Sequence, residues 1–299
     1  MSPRRDSTAG RAYLDLQALA RQAGRPTQEF LVGYVHERFL YRVAASRYRD
    51  RLVLKGGMLL AALDTRRPTA DIDLLATAIG NDVDTIAGVV REVLQIEADG
   101  VEYQPDRLST RVIRDAELYA GVRLTVPARV DRAHTVLRVD VNVGDPVTPG
   151  PVEIEYPALL TGSFRLLGYP LATVLAEKLV TMIDRAEATT RERDFADVVL
   201  LTRRHRISGS EVLAALRATA AHRQSTLRPL AGLLDRLGPA RQSSWTAYLA
   251  RNGLTGMLPA SYAGAIAAVV SFADPVLTGA VASAVWDPVT GAWAGEGPA

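Results

Sequence analysis

The sequence predicts an α+β protein, a mixed sheet with flanking helices followed by a helical C-terminal half. Two patterns carry that prediction. Between about Thr110 and Glu155 apolar and polar residues alternate, as in Leu137-Arg138-Val139-Asp140-Val141-Asn142-Val143, the period of half-buried strands. After Gly168-Tyr169-Pro170 the apolar spacing lengthens to that of helices and stays so to the end. The expected organisation is therefore residues 1–168 as a mixed domain with N-terminal helices and 169–299 as a helical domain. With 48% hydrophobic residues in a chain of 299, both can bury a core.

Taken in order, Phe30, Leu31, Tyr34, Val35, Phe39, Leu40 and Val43 recur at helical spacing, which predicts an amphipathic helix from Thr27 to about Arg49. Leu52-Val53-Leu54 reads as a strand entering the turn Lys55-Gly56-Gly57, Met58 to Leu63 as a short helix, and Asp71 to Leu75 as a half-buried strand. Val83 to Ile96 carries a helical stripe. Strands are expected at Arg111 to Ile113, Ala120 to Val126, Val136 to Val143 and Val152 to Tyr156. In the second half the helices are expected at Leu171 to about Ala188, Asp194 to about Thr202, Glu211 to Ala220, Leu227 to Leu237, Ser243 to Ala250 and Ser261 to Phe272. The glycine-rich tail from Asp287 is expected to fray.

Composition removes several function classes. There are no cysteines and only four histidines, so a thiolate site is excluded and any metal is expected on oxygen ligands. A charged start, Met1-Ser2-Pro3-Arg4-Arg5-Asp6, and the lack of a long apolar run predict a cytoplasmic protein with no membrane segment. A net charge of +2 does not by itself select nucleic acid. The basic residues are almost all arginine. The two lysines, Lys55 and Lys178, are left where a compact ammonium has a use that a guanidinium lacks, or by chance.

The residues with chemical content form a sequence of motifs. Glycines at 56 and 57 allow backbone N–H groups to approach a phosphate, helped by the dipole of the helix that follows. Asp71 and Asp73, two apart on a strand, project to one face, where their mutual repulsion calls for a cation. Magnesium, which takes one or two carboxylates plus substrate phosphates, suits them. Asp140, in an alternating strand, is a third acid that would complete a two-metal site and take a proton, or lies on a solvated face with Arg138 and Asn142. Asp145 reads as a turn residue. Lys178 stands on an otherwise apolar helix and is suited to a phosphate. Asp194 and Asp197 share a face one turn apart, Asp194 being either an acid of the site or an N-cap.

Leu54-Lys55-Gly56-Gly57-Met58-Leu59-Leu60, Arg67-Pro68-Thr69-Ala70-Asp71-Ile72-Asp73-Leu74, Ala176-Glu177-Lys178 and Arg193-Asp194-Phe195-Ala196-Asp197 together resemble the AbiEii/AbiGii nucleotidyltransferase toxins, which include the MenT-type toxins of mycobacteria. That resemblance implies a polymerase-β-like fold, magnesium as cofactor and an NTP as substrate. It further implies nucleotide transfer to RNA, notably the tRNA 3′ end, and an antitoxin as partner. Carried over, Gly56 and Gly57, with Lys55 before them, are the phosphate loop, Asp71 and Asp73 the metal ligands, Lys178 the phosphate or catalytic lysine and Asp194 the acid of the last motif. The loop departs from the usual Gly-Ser, because Gly57 stands where a serine would. Thr69 offers a nearby hydroxyl, and its phosphorylation would repel the NTP and compete for magnesium. Two other readings stay open here, a nucleotide-binding regulatory protein without chemistry and a small-molecule nucleotidyltransferase acting on antibiotics.

Overall fold

The computed structural model describes residues 6–97, 100–113 and 121–295. By its contacts the chain divides into two compact units. One is drawn from Met1–Ala62, Arg66–Asp145 and Val152–Gly168, the other from Leu63–Thr65, Pro146–Pro151 and Tyr169–Ala299.

The first unit opens with α1 (Thr8–Ala23) and α2 (Thr27–Ala45). Helix α1 falls among the expected N-terminal helices, although the apolar spacing placed bounds only on the second of them. Ser7 caps it by accepting from the Gly10 N–H, Gly24 closes it with φ +64°, and its buried face is the mostly small set Ala12, Tyr13, Leu16 and Ala20. Then follow β1 (Leu52–Lys55), the single turn α3 (Gly56–Leu59), β2 (Ile72–Ala76), α4 (Val83–Leu94), β3 (Val101–Tyr103), β4 (Ser109–Ile113), β5 (Gly121–Val130), β6 (Ala133–Val143), β7 (Val152–Pro157) and β8 (Ser163–Gly168). Ala120, expected to begin a strand, lies outside the described residues.

The strands make one mixed sheet in the order β3-β5-β6-β2-β1-β8-β7, with β4 also paired to β5. The β2–β6 and β1–β8 pairs are parallel, and the others are antiparallel. Alternation on β6 works as predicted, since Leu137 and Val139 are fully buried on one face and Val141 nearly so. Helix α2 packs on β6 and β8, and Phe39, Leu40 and Val43 are fully buried, each contributing about 1.5–3 kcal/mol. The buried Arg42 guanidinium ties the layers by donating to the carbonyls of Leu94 at 2.7 Å and Val101 at 2.9 Å, over the ring of Tyr103.

The second unit holds α5 (Leu171–Arg185), α6 (Glu192–Thr202), β9 (Ile207–Ser208), α7 (Gly209–Arg223), the short α8 (Leu237–Ala240), α9 (Gln242–Asn252), α10 (Tyr262–Leu277), β10 (Ala284–Asp287) and β11 (Ala292–Gly295). Phe195 of α6 and Trp245 of α9 both pack on the Tyr262 ring, at centroid distances of 5.2 and 5.0 Å.

Two expectations fail in this unit. Residues 227–236 are loop and turn, not helix. Their apolar spacing is real, for Leu230, Leu234 and Leu237 are buried, but the carboxylate of Asp274 accepts from the N–H groups of Leu230 at 2.7 Å and Ala231 at 3.0 Å, and Gly232 adopts φ +77°. A side chain thus satisfies backbone groups that a helix would have bonded internally. The described part of the tail is also not frayed. β10 and β11 form a hairpin joined to β9, anchored by Trp286 and Trp293 against Phe272, with indole N–H groups donating to the carbonyls of Thr202 and Phe272.

Candidate active site

Strand register sets four charged residues side by side. Lys55 of β1 is paired with Asp73 of β2, Asp73 with Asp140 of β6, and Asp140 with Arg123 of β5. Cross-strand partners share a face of the sheet, so the row reads plus, minus, minus, plus. Adjacent carboxylates would repel unless flanked in this way. The Arg123 guanidinium grips Asp140 through two bonds, Nε to Oδ1 at 2.7 Å and Nη2 to Oδ2 at 2.5 Å, and its Nη2 also stands 3.6 Å from Asp71 Oδ2. Those hydrogen bonds to Asp140, with the charges of Asp140, Asp71 and Asp73, raise the already high pKa of Arg123. Lys55 Nζ lies 2.6 Å from Asp145 Oδ2, with both side chains mostly buried. Asp145, read from the sequence as a turn residue, is therefore the counter-charge of a lysine expected at the phosphate loop.

Glycine is required twice here. At Gly56 φ is +66°, and a Cβ there would lie 1.8 Å from Asp73 Oδ2, so the loop and the carboxylate can share this space only without a side chain. At Gly57 a Cβ would come within 2.6 Å of Thr69 Oγ1 and 3.0 Å of Thr69 Cβ. The volume that a serine side chain would claim at position 57 is thus held by Thr69, whose hydroxyl donates to the Asp71 carbonyl at 3.2 Å. Because α3 is one turn long, its dipole adds little, and any phosphate cradle rests on individual N–H groups.

Beside Gly57 and Thr69 opens a pocket of about 140 Å³ with Arg25, Arg66 and Arg67 in its wall and Phe30, Met58 and Tyr156 as apolar lining. Glu37, fully buried on α2, shapes that region by accepting from the Leu159 N–H at 2.6 Å and from Arg38 at 2.8 Å; burial raises its pKa.

In the second unit Lys178 of α5 donates to two acids of α6, Asp194 Oδ1 at 3.0 Å and Asp197 Oδ2 at 2.7 Å. Asp194 sits in the first turn of α6 but does not cap it; that position belongs to Arg191. The neighbouring Glu192 is bound by Arg241 at 2.9 Å and Ser244 at 2.6 Å. The acids of this segment are therefore turned inward and paired, while Arg193, Arg203, Arg204 and Arg206 are exposed.

Of the predicted residues, the first unit brings together Lys55, Gly56, Gly57, Thr69, Asp71, Asp73 and Asp140, and the second brings together Lys178, Asp194 and Asp197. Among the described residues no three acidic or imidazole side chains are grouped closely enough to enclose a metal by themselves. Asp71 and Asp73 nonetheless fit magnesium, because they are oxygen donors beside a cation-bridged acid and leave positions for substrate phosphates. Arg123 was missed in the sequence, where an arginine on an alternating strand reads as one more exposed residue.

A glycine loop followed by paired acids, on adjoining strands of a mixed sheet, is in keeping with a nucleotidyltransferase, and the family match shows the chain to be one. It belongs to the family described as "Nucleotidyl transferase AbiEii toxin, Type IV TA system", whose model matches residues 38–265. Membership implies an NTP substrate and an antitoxin partner. No curated protein sequence matches the chain. Among solved structures it is similar to MenT4, a nucleotidyltransferase toxin from Mycobacterium tuberculosis H37Rv, with 18% identity, coverage of 88% of this chain and 89% of that one, and a TM-score of 0.47. It is also similar to JHP933 from Helicobacter pylori, with 11% identity, coverage of 83% and 94%, and a TM-score of 0.47. Among the described residues no helix is long and apolar enough to cross a membrane.

Proposed function

We propose that this toxin is a magnesium-dependent enzyme that transfers a nucleotide from an NTP to RNA, the tRNA 3′ end being the acceptor, and so blocks translation in the cytoplasm until its antitoxin restrains it. The observation that supports this best is the acid pair Asp73 and Asp140 at the centre of the charged row, with Asp71 beside it and Asp73 packed on Gly56. In this reading Asp71 and Asp73 hold the metal, which when bound neutralises charge on the reacting phosphate. The N–H groups of the Gly56-Gly57 loop receive the remaining phosphates. Lys178, oriented by Asp194 and Asp197, supplies a further cation for the phosphates. Lys55 acts from behind the loop through its pair with Asp145, and Asp140 is the third acid of the site and the acceptor of the attacking hydroxyl's proton. The exposed Arg193, Arg203, Arg204 and Arg206 contact the RNA backbone, helped by the inward turn of Glu192, Asp194 and Asp197, while Asp184 and Glu187 stay exposed.

Incubation with each α-labelled NTP and bulk tRNA tests this reading. The expected result is label at the tRNA 3′ end with one NTP preferred, abolished by Asp71→Ala and by Asp194→Asn in protein that still folds. Label on an aminoglycoside instead of tRNA, or NTP binding without pyrophosphate release, would replace it with one of the other two readings.

Thr69 is proposed as a regulatory phosphorylation site. Its Oγ1 is 3.4 Å from Asp71 Oδ1, so a phosphate there would place negative charge against the metal ligands. A Thr69→Ala toxin is expected to escape neutralisation by its antitoxin, and continued neutralisation would remove the idea.

A further inference from the structure

The acid cluster already contains a cation. Asp71, Asp73 and Asp140 carry three negative charges, and Arg123 bridges two of them, at 2.5 Å to Asp140 Oδ2 and 3.6 Å to Asp71 Oδ2. The remaining charge of minus two matches one divalent ion. The two partners of the bidentate pair differ in freedom, since the Arg123 side chain is 40% exposed and that of Asp140 only 10%. Asp140 is held in the pleat between buried Val139 and Val141, while the guanidinium, on a long flexible stem, can turn into water without emptying the core. A carboxylate with both oxygens engaged by one guanidinium has its best lone pairs occupied and part of its charge neutralised, so it is a weaker metal ligand until that fork opens.

We infer that Arg123 is a built-in counter-ion that competes with the metal for Asp140, a positioning residue that sets how tightly the site binds a divalent cation before nucleotide arrives. Without metal it suppresses repulsion among the three carboxylates. When a metal enters with a polyphosphate, the incoming anion offers the guanidinium an alternative partner, and Asp140 is released to the site. Metal binding and nucleotide binding are thereby coupled through one side chain. This inference rests on the assignment of Asp71, Asp73 and Asp140 as metal ligands.

The test is Mn²⁺ binding followed by electron paramagnetic resonance of the free ion, on the full chain, with and without inorganic tripolyphosphate. Loss of one charge-assisted competitor predicts that Arg123→Gln binds Mn²⁺ about tenfold more tightly than wild type without tripolyphosphate, with the gap narrowing when it is added. The variant should also melt lower than wild type in chelator and gain more from Mn²⁺, which a merely structural arginine would not produce. Should Arg123→Gln fold poorly, Arg123→Lys keeps the charge but loses the two-pronged grip and is expected to tighten Mn²⁺ in the same direction. Equal or weaker Mn²⁺ binding in folded Arg123 variants would overturn the inference while leaving the metal site in place. No Mn²⁺ binding by any form, even with tripolyphosphate, would overturn the metal assignment as well.

Discussion

Each unit contains one cation between two carboxylates, and the two clusters differ in burial. Arg123 lies 40% exposed against Asp140 and Asp71, whereas Lys178 is 14% exposed against Asp194 and Asp197, which are 9% and 1% exposed. Asp73 left aside, each of these groupings of one cation with two carboxylates carries one negative charge over. In the exposed cluster water and incoming ions can substitute for the cation, so its pairing is exchangeable. In the buried cluster nothing replaces the cation at low cost, so the lysine is fixed and the acids depend on it. The same arithmetic of charges thus gives a site that can change partners in one unit and a rigid one in the other.

The largest expected effect follows from the buried cluster. Lys178→Ala takes from two desolvated carboxylates the ammonium that both of them accept from and should lower stability by about 3–5 kcal/mol, measured by urea denaturation. The matching Arg123→Ala change should cost far less, and equal losses at the two positions would break the comparison.

Next is the buried imidazole of His36, fully inaccessible on α2, with neither ring nitrogen hydrogen bonded among the described residues. Burial first, and then the charge of Arg138, lower its pKa from 6.5 to about 4. The unfolded chain binds the proton more readily, so stability due to this residue is present above pH 6.5 and is lost as pH falls toward 4. The loss amounts to about 3 kcal/mol at most. His36→Leu should flatten the pH dependence of the melting temperature in that window; an unchanged slope would assign the acid sensitivity to other groups.

A smaller effect concerns the loop. Gly57→Ser forces a Cβ to 2.6 Å from Thr69 Oγ1 and is expected to cost about 1–3 kcal/mol as an overpacked contact. Adding Thr69→Ala should restore stability, and a double variant no more stable than Gly57→Ser would show that the two side chains do not compete for this space. The smallest effect is expected at the exposed Arg204, where alanine should leave folding within about 0.5 kcal/mol and reduce the salt slope of RNA binding by about one.

Much of this was legible in the sequence for a common reason, that local pattern and tertiary role agree. The run Leu52 to Gly57, the strand of Asp73, the alternation around Asp140 and the apolar helix bearing Lys178 all fold as their periodicity implies. What escaped was non-local. Nothing near Arg123 signals its partner, because the pairing arises from the β5–β6 register across a hairpin. Lys55 likewise meets Asp145, ninety positions on and just past the end of β6, a contact no local pattern signals. Leu227 to Leu237 reads as a helix until Asp274 supplies the competing acceptor, and the glycine-rich tail hides Trp293, which with the preceding Trp286 docks it on α10.

The central claim, that the acid pair downstream of the glycine loop performs nucleotidyl transfer, is tested most directly at Asp73. Asp73→Asn preserves shape beside Gly56 while removing a charge proposed to hold the metal. Measured as pyrophosphate released from NTP in the presence of tRNA and magnesium, its rate should fall by about a thousandfold or more, with circular dichroism and melting temperature unchanged. Turnover within a few fold of wild type would contradict the assignment of the active site to this strand.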